Sequence, residues 1–270
     1  MLETQKLPKP IDIVEHVIPA HETSILAGAS GAGKTTLLMH ILKELQHNKP
    51  VFGHAITKDL KIGFIAADRT WEAYKKLAQT VGVDVDKLTH VRALIDDDKI
   101  DCSTLERNPS IILYNLLNEM VEKGVQLVIV DPLAVLLGCD LNKYHVVAAR
   151  LIQLNRYCRL NGLTVLGTHH ATKARTESGF KRPQDRINGS GALLGFTSTQ
   201  LFLAAADETG SEYTEWHIIS HHAKPKVVHL KRTNDTGTFY QCDPLEDIAT
   251  KALETGTNKT MAQVYGLVPN

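Results

Sequence analysis

The sequence predicts an α/β fold, a mostly parallel sheet flanked by helices with antiparallel strands added toward the C-terminus. Three observations lead there. Short, mainly apolar runs, such as Thr23 to Ala27 and Val125 to Val130, alternate with segments whose apolar residues recur at three and four. A strand apolar on both faces needs cover on both faces, which is the situation of a parallel sheet between helices. A glycine-rich turn joins the first such run to its helix.

The chain has 270 residues, 43% of them hydrophobic, with 30 Lys and Arg against 30 Asp and Glu, and a pI near 7.2. That composition excludes fibrous, collagen-like, disordered and histone-like classes. The cysteines Cys102, Cys139, Cys158 and Cys242 are widely spaced without a C-x-x-C pair, so neither a zinc ribbon nor a disulfide framework is readable. The stretch from Val125 to Gly138 is interrupted by Asp131 and Pro132 and is too short for a bilayer, and no basic-then-apolar leader opens the chain. The expectation is a cytoplasmic protein with no membrane partner.

Taken in order, Leu7 to Pro10 reads as an extended lead-in, because each proline disfavours helix before it. Thr23 to Ala27 is a buried strand ending at Gly28, and Leu37, Leu38, Ile41, Leu42 and Leu45 give Lys34 to Leu45 a helical period. Leu60 to Ala67 is a second strand, followed from Thr70 by a helix through Trp71, Tyr74, Leu77 and Val81. A helix over Ile111 to Val121 stops at Lys123-Gly124, and the strand Val125 to Val130 closes on Asp131-Pro132. The helix Lys143 to Leu160 ends at Asn161-Gly162, and Leu163 to Gly167 is again a strand. Residues 171 to 190 lack a hydrophobic period and form a long connection. Gln200 to Ala205, Glu215 to Ser220, Lys226 to Arg232 and Thr238 to Cys242 read as short antiparallel strands, with turns at Thr209-Gly210 and Asp235-Thr236-Gly237. Residues 1–245 thus make one α/β domain with an extended N-terminal segment, and 246–270 a helical arm or partial helix-turn-helix.

The turn Gly28, Ala29, Ser30, Gly31, Ala32, Gly33, Lys34, Thr35 fits the phosphate-loop pattern G-x-x-x-x-G-K-[ST], with Thr36 next in the helix. Its glycines let successive N–H groups turn inward on phosphate oxygens, and the helix start adds positive potential. Lys34 is placed to reach the β- and γ-phosphates and Thr35 to ligate Mg²⁺, with ATP as the expected nucleotide. Asp131, at the C-terminal end of a parallel strand, is the natural second metal ligand; the competing reading is an ordinary Asp-Pro turn.

The loop, the strand ending in Asp68, the Val-Asp-Pro-Leu strand, Thr168-His-His170 and Arg186-Ile-Asn-Gly-Ser-Gly191 together resemble the RecA-like ATPases, and within them the RepA-type hexameric helicases, over about residues 10 to 242. The resemblance implies a homohexameric ring with ATP between neighbouring subunits and movement along single-stranded DNA. It implies that Asp68 stands where the family has a water-activating Glu, a side chain about 1.5 Å longer; Asp68 could instead cap the helix beginning near Thr70. One of His169 and His170, with His170 preferred, would sense the γ-phosphate; a plain buried histidine and a zinc ligand are the rival readings. Lys173, Arg175, Lys181, Arg182 and Arg186 would line a pore and track a DNA backbone, unless the stretch is only a solvated loop. Lys231 and Arg232 would reach the neighbour's nucleotide, with Lys224 and Lys226 as fallbacks and a cross-strand salt bridge as the alternative. A RecA-like mediator that binds DNA without unwinding it is the second functional reading, and a metabolic kinase the third.

Overall fold

The computed structural model describes residues 12–98, 100, 102–171, 186–187, 189, 191–205, 213–233, 237–244 and 246–247. The lead-in at Leu7 to Pro10, the turn at Thr209-Gly210, Lys173, Arg175, Lys181 and Arg182, and nearly all of the 246–270 arm lie outside the described residues. The strands are β1 Thr23–Gly28, β2 Ile62–Ala66, β3 His90–Ala93, β4 Leu127–Asp131, β5 Thr164–His170, β6 Thr199–Ala204, β7 Thr214–Ser220, β8 Lys226–Arg232 and β9 Phe239–Gln241. They form one sheet in the order β3-β2-β4-β5-β1-β6-β7-β8-β9.

Strands β1, β2, β4 and β6 are buried at every residue, as strands with apolar side chains on both faces require. Strand β7 alternates buried and half-buried positions, the mark of a strand packed mainly on one side. The pairs β1 with β5, β2 with β4, β4 with β5 and β2 with β3 are parallel. The expectation of antiparallel late strands is corrected at β6, which pairs parallel to β1 with Ser24 opposite Thr199. The long connection after β5 carries the chain back to the starting edge of the sheet, the condition for parallel pairing. Only β7, β8 and β9 run antiparallel.

The helices are α1 Lys34–Gln46, α2 Trp71–Val81, α3 Cys102–Arg107, α4 Pro109–Glu122, α5 Leu133–Leu137, α6 Tyr144–Asn161 and α7 Ala192–Phe196. Helix α1 buries Leu37, Leu38, Ile41, Leu42 and Leu45, the stripe its periodicity draws. With α2 it covers one face of the sheet, in a core that includes Phe64, Trp216 and Phe239. Helices α4 to α7 supply the core on the other face, around Val128, Val130 and Phe202. Pro109 opens α4, where its missing N–H costs nothing, and Gly162 ends α6 in the left-handed region. Among the described residues no helix is long and apolar enough to cross a membrane.

This topology brings the C-terminal ends of β1, β2, β4 and β5 to one edge, where ligands bind in open α/β sheets. Close packing holds that edge: a Cβ on Gly167 in β5 would lie 2.5 Å from Leu133 Cβ, at the start of α5 two residues beyond Asp131. Gly167→Ala is therefore expected to destabilise the protein by about 1–3 kcal/mol, lowering the thermal midpoint by several degrees in calorimetry. An unchanged midpoint would mean that α5 yields without cost.

Candidate nucleotide site

The phosphate loop follows from its glycines. Gly31 and Gly33 have φ of 81° and 99°, a region that side chains rarely adopt. Gly33 is the N-cap of α1, no side chain caps that helix, and no acidic residue occupies its first turn. The first N–H groups of a helix have no intrahelical partner, so α1 presents its positive end to the loop without an internal carboxylate competing for it. Ser30 and Gly31 are exposed, while Ala29 and Ala32 are buried and anchor the loop. Lys34, Thr35 and Thr36 are half-buried in the first turn. Lys34 Nζ folds back to donate to the carbonyls of Gly28 at 2.9 Å and Ala29 at 3.0 Å. An ammonium resting on two neutral carbonyls gains more from a phosphate.

Asp131 is only 5% exposed, and a buried carboxylate needs partners. Thr35 Oγ1 donates to its Oδ2 at 3.1 Å, and Thr168 Oγ1 donates to its Oδ1. The Tyr74 hydroxyl lies 3.1 Å from Asp131 Oδ2, 3.1 Å from the Asp131 carbonyl and 3.0 Å from Asp68 Oδ1. Burial, reinforced by the two carboxylates, holds the Tyr74 phenol far above its ordinary pKa, so it keeps its proton. The Thr35 hydroxyl and the Asp131 carboxylate are hard oxygen donors and fit Mg²⁺. Among the described residues no group of three or more His, Cys, Asp and Glu could hold a metal alone. A cation here would complete its shell with phosphate and water, as Mg²⁺ does in nucleotide sites; when bound it would neutralise charge on the β- and γ-phosphates.

Asp68 is exposed just past β2. It does not cap α2: Thr70 is the N-cap, and the Trp71 N–H is taken by Asp96 Oδ2 at 2.5 Å. Its partner is instead Tyr74, which joins it to Asp131. His169 is buried and His170 exposed at the end of β5. Strand alternation puts His170 on the face of Thr168, whose hydroxyl meets Asp131, and His170 stands opposite Gly28 in the β1–β5 register. His170 is thus the histidine directed to the nucleotide side.

Two expectations are placed differently. Arg186 was assigned to an open DNA-tracking surface, but it is 8% exposed and its guanidinium lies 5.0 Å above the Phe202 ring. Stacking an amphipathic side chain on an aromatic face removes it from solvent. Lys231 and Arg232, adjacent on a strand, point to opposite sides, and each has a partner within this chain. Lys231 pairs with Asp247, which follows the last strand, so the ion pair is not the cross-strand one expected, and its ammonium sits over Tyr213. Arg232 stacks 5.0 Å from the Phe239 ring and donates to the Ala32 carbonyl at 3.0 Å, inside its own phosphate loop. The fallback Lys224 and Lys226 lie at the opposite end of β8 from Arg232, with Lys226 Nζ 3.2 Å from His54 Nε2.

Sequence reasoning assigned no role to Thr168 or Tyr74. The signal for Tyr74 was a phenol on the apolar stripe of α2, where a buried hydroxyl demands a partner. Fit between Arg232 and the loop is close, since a Cβ on Gly33 would lie 2.3 Å from Arg232 Nη2. If the guanidinium braces the loop within one subunit, Arg232→Ala weakens ADP binding about fivefold in monomeric protein, measured by calorimetry. Unchanged affinity would show that the loop keeps its shape unaided.

A family model for the AAA domain matches residues 2–176. Comparison with curated proteins gives no match. The matched span holds the phosphate loop, Asp68, Asp131 and His170, the same residues the fold gathers at one sheet edge. The chain belongs to the AAA domain family of P-loop ATPases.

Proposed function

We propose that this ATPase is a motor on single-stranded DNA, a RepA-type ring helicase acting as a homohexamer in DNA replication. One observation carries the coupling of nucleotide to DNA. The Gly28 carbonyl, at the mouth of the phosphate loop, accepts from Lys34 Nζ at 2.9 Å and from the Ala171 N–H at 3.0 Å. Ala171 also bridges antiparallel to Ile187, and in sequence Lys173, Arg175, Lys181 and Arg182 fall between those two paired residues. When Lys34 transfers to a phosphate, the carbonyl holding the root of the basic stretch loses a partner. A positive stretch rooted there converts nucleotide state into grip on a phosphate backbone.

In this reading Lys34 and the loop N–H groups bind the triphosphate, Thr35 and Asp131 hold Mg²⁺, Asp68 orients the attacking water, and His170 reads the γ-phosphate. Action of Arg232 or Lys231 on a neighbour's nucleotide requires the contacts to Ala32 and Asp247 to be exchanged on ring assembly. The second reading is a RecA-like mediator that uses ATP as a switch without unwinding. The shorter reach of Asp68 favours slow turnover and hence that reading.

The test measures hydrolysis with and without single-stranded DNA, oligomer mass and strand displacement together. The expected result is DNA-stimulated hydrolysis by a hexamer that displaces a strand. Lys34→Ala abolishes turnover, and Asp68→Asn lowers it about a hundredfold while leaving ATP binding intact. ATP-dependent DNA binding without displacement selects the mediator, and hydrolysis indifferent to DNA overturns both.

A further inference from the structure

The Tyr74 hydroxyl has one proton and three acceptors in reach. These are Asp68 Oδ1 at 3.0 Å, and the carbonyl and Oδ2 of Asp131, each at 3.1 Å. Two of the three have other donors. The Asp131 carbonyl accepts from the Ala67 N–H at 2.8 Å, and Asp131 Oδ2 accepts from Thr35 Oγ1 at 3.1 Å. Asp68 is on the surface, and its contact with the Tyr74 hydroxyl is one of three that share a single proton.

The phenol is itself held firmly. Tyr74 is 2% exposed and meets Phe64 edge-on with ring centroids 5.1 Å apart, and Trp71 stacks on it at 6.2 Å. It is a rigid post standing between a carboxylate suited to a cation and a carboxylate suited to water.

We propose that Tyr74 is a positioning residue that passes the occupancy of the Thr35–Asp131 site to Asp68, by turning its O–H, with the proton retained, from Asp131 toward Asp68. The inference rests on the proposed role of Asp68 as the water-orienting group. Once Asp131 Oδ2 serves a cation, its lone pairs no longer compete for the phenol proton. The Asp131 carbonyl already accepts from Ala67, so of the two acceptors left the charged Asp68 carboxylate is the stronger and accepts the phenol hydrogen bond. The carboxylate is then aimed only when the site is loaded, which keeps the water-activating group disengaged while the metal site is empty. A fixed post also offsets part of what Asp loses in reach relative to Glu, because a short side chain held in one direction spends less time misplaced.

Tyr74→Phe tests this with little risk to the fold, since both rings it packs against remain and both Asp131 acceptors keep a donor. The expected result is a kcat lowered about tenfold, with KM for ATP and the affinity for magnesium–ADP within about twofold of the parent. In a double-mutant cycle, Tyr74→Phe costs nothing further in the Asp68→Asn background. A second readout needs no turnover. In protein labelled at tyrosine Cζ, the Tyr74 resonance, identified by its loss in Tyr74→Phe, shifts when magnesium is added to the ADP-bound protein.

The proposal is overturned if that resonance stays fixed, if Tyr74→Phe alters affinity and not kcat, or if its loss of rate persists undiminished in Asp68→Asn. A normal rate in Asp68→Asn alone is a different failure. It removes the assignment of Asp68 as the water-orienting group, while the magnesium-dependent shift of Tyr74 is read independently of it.

Discussion

A single buried carboxylate organises this protein's working edge. Asp131 ends β4 at 5% exposure, and a charge removed from water must be met by donors. Those donors come from three other elements: Thr35 from α1, Thr168 from β5 and Tyr74 from α2. The need to satisfy one side chain therefore sets where the phosphate loop's helix begins relative to the sheet, and where α2 lies against it. The same constraint makes the site chemically apt, because oxygens gathered around a carboxylate next to an uncapped helix start suit a divalent cation carrying a polyphosphate.

Around that point the loop is braced on two sides. The Gly28 carbonyl ties it to the end of β5 through Ala171, and the Ala32 carbonyl ties it to β8 through Arg232. Both tethers use carbonyl acceptors and so consume none of the loop's N–H groups. A change of charge in the loop thus has two routes outward, one toward the basic stretch after Ala171 and one toward the last strands of the sheet. Arg232 in this arrangement serves the phosphate loop of its own chain.

The parts of this architecture legible from sequence are those whose signal is local. Helix α1 announced itself through its leucine and isoleucine period, β4 through an apolar run closed by Asp131, and the phosphate loop through glycines that few other arrangements demand. The direction of β6 was illegible, because an apolar run looks the same whether its neighbour is parallel or antiparallel. Strand β3 escaped because it is four residues long, only part-buried, and carries His90 and Arg92. Helices α5 and α7, five residues each, are too short to display a period. Thr168 and Tyr74 were hidden for another reason: they lie 37 and 57 residues from Asp131 in sequence, and nothing local marks a hydroxyl as the donor to a distant carboxylate. Arg186 illustrates the same limit, since its basic neighbours mark a charged run while the Phe202 ring on which it stacks is brought to it by the fold.

The central claim is that the loop and Asp131 form one site for a magnesium-bound nucleoside triphosphate. A crystal structure with magnesium and a nonhydrolysable ATP analogue tests it most directly. The account predicts Lys34 Nζ released from the Gly28 and Ala29 carbonyls onto phosphate oxygens, with the cation between Thr35 and Asp131. Lys34 still resting on those carbonyls, with the nucleotide bound elsewhere, would contradict it.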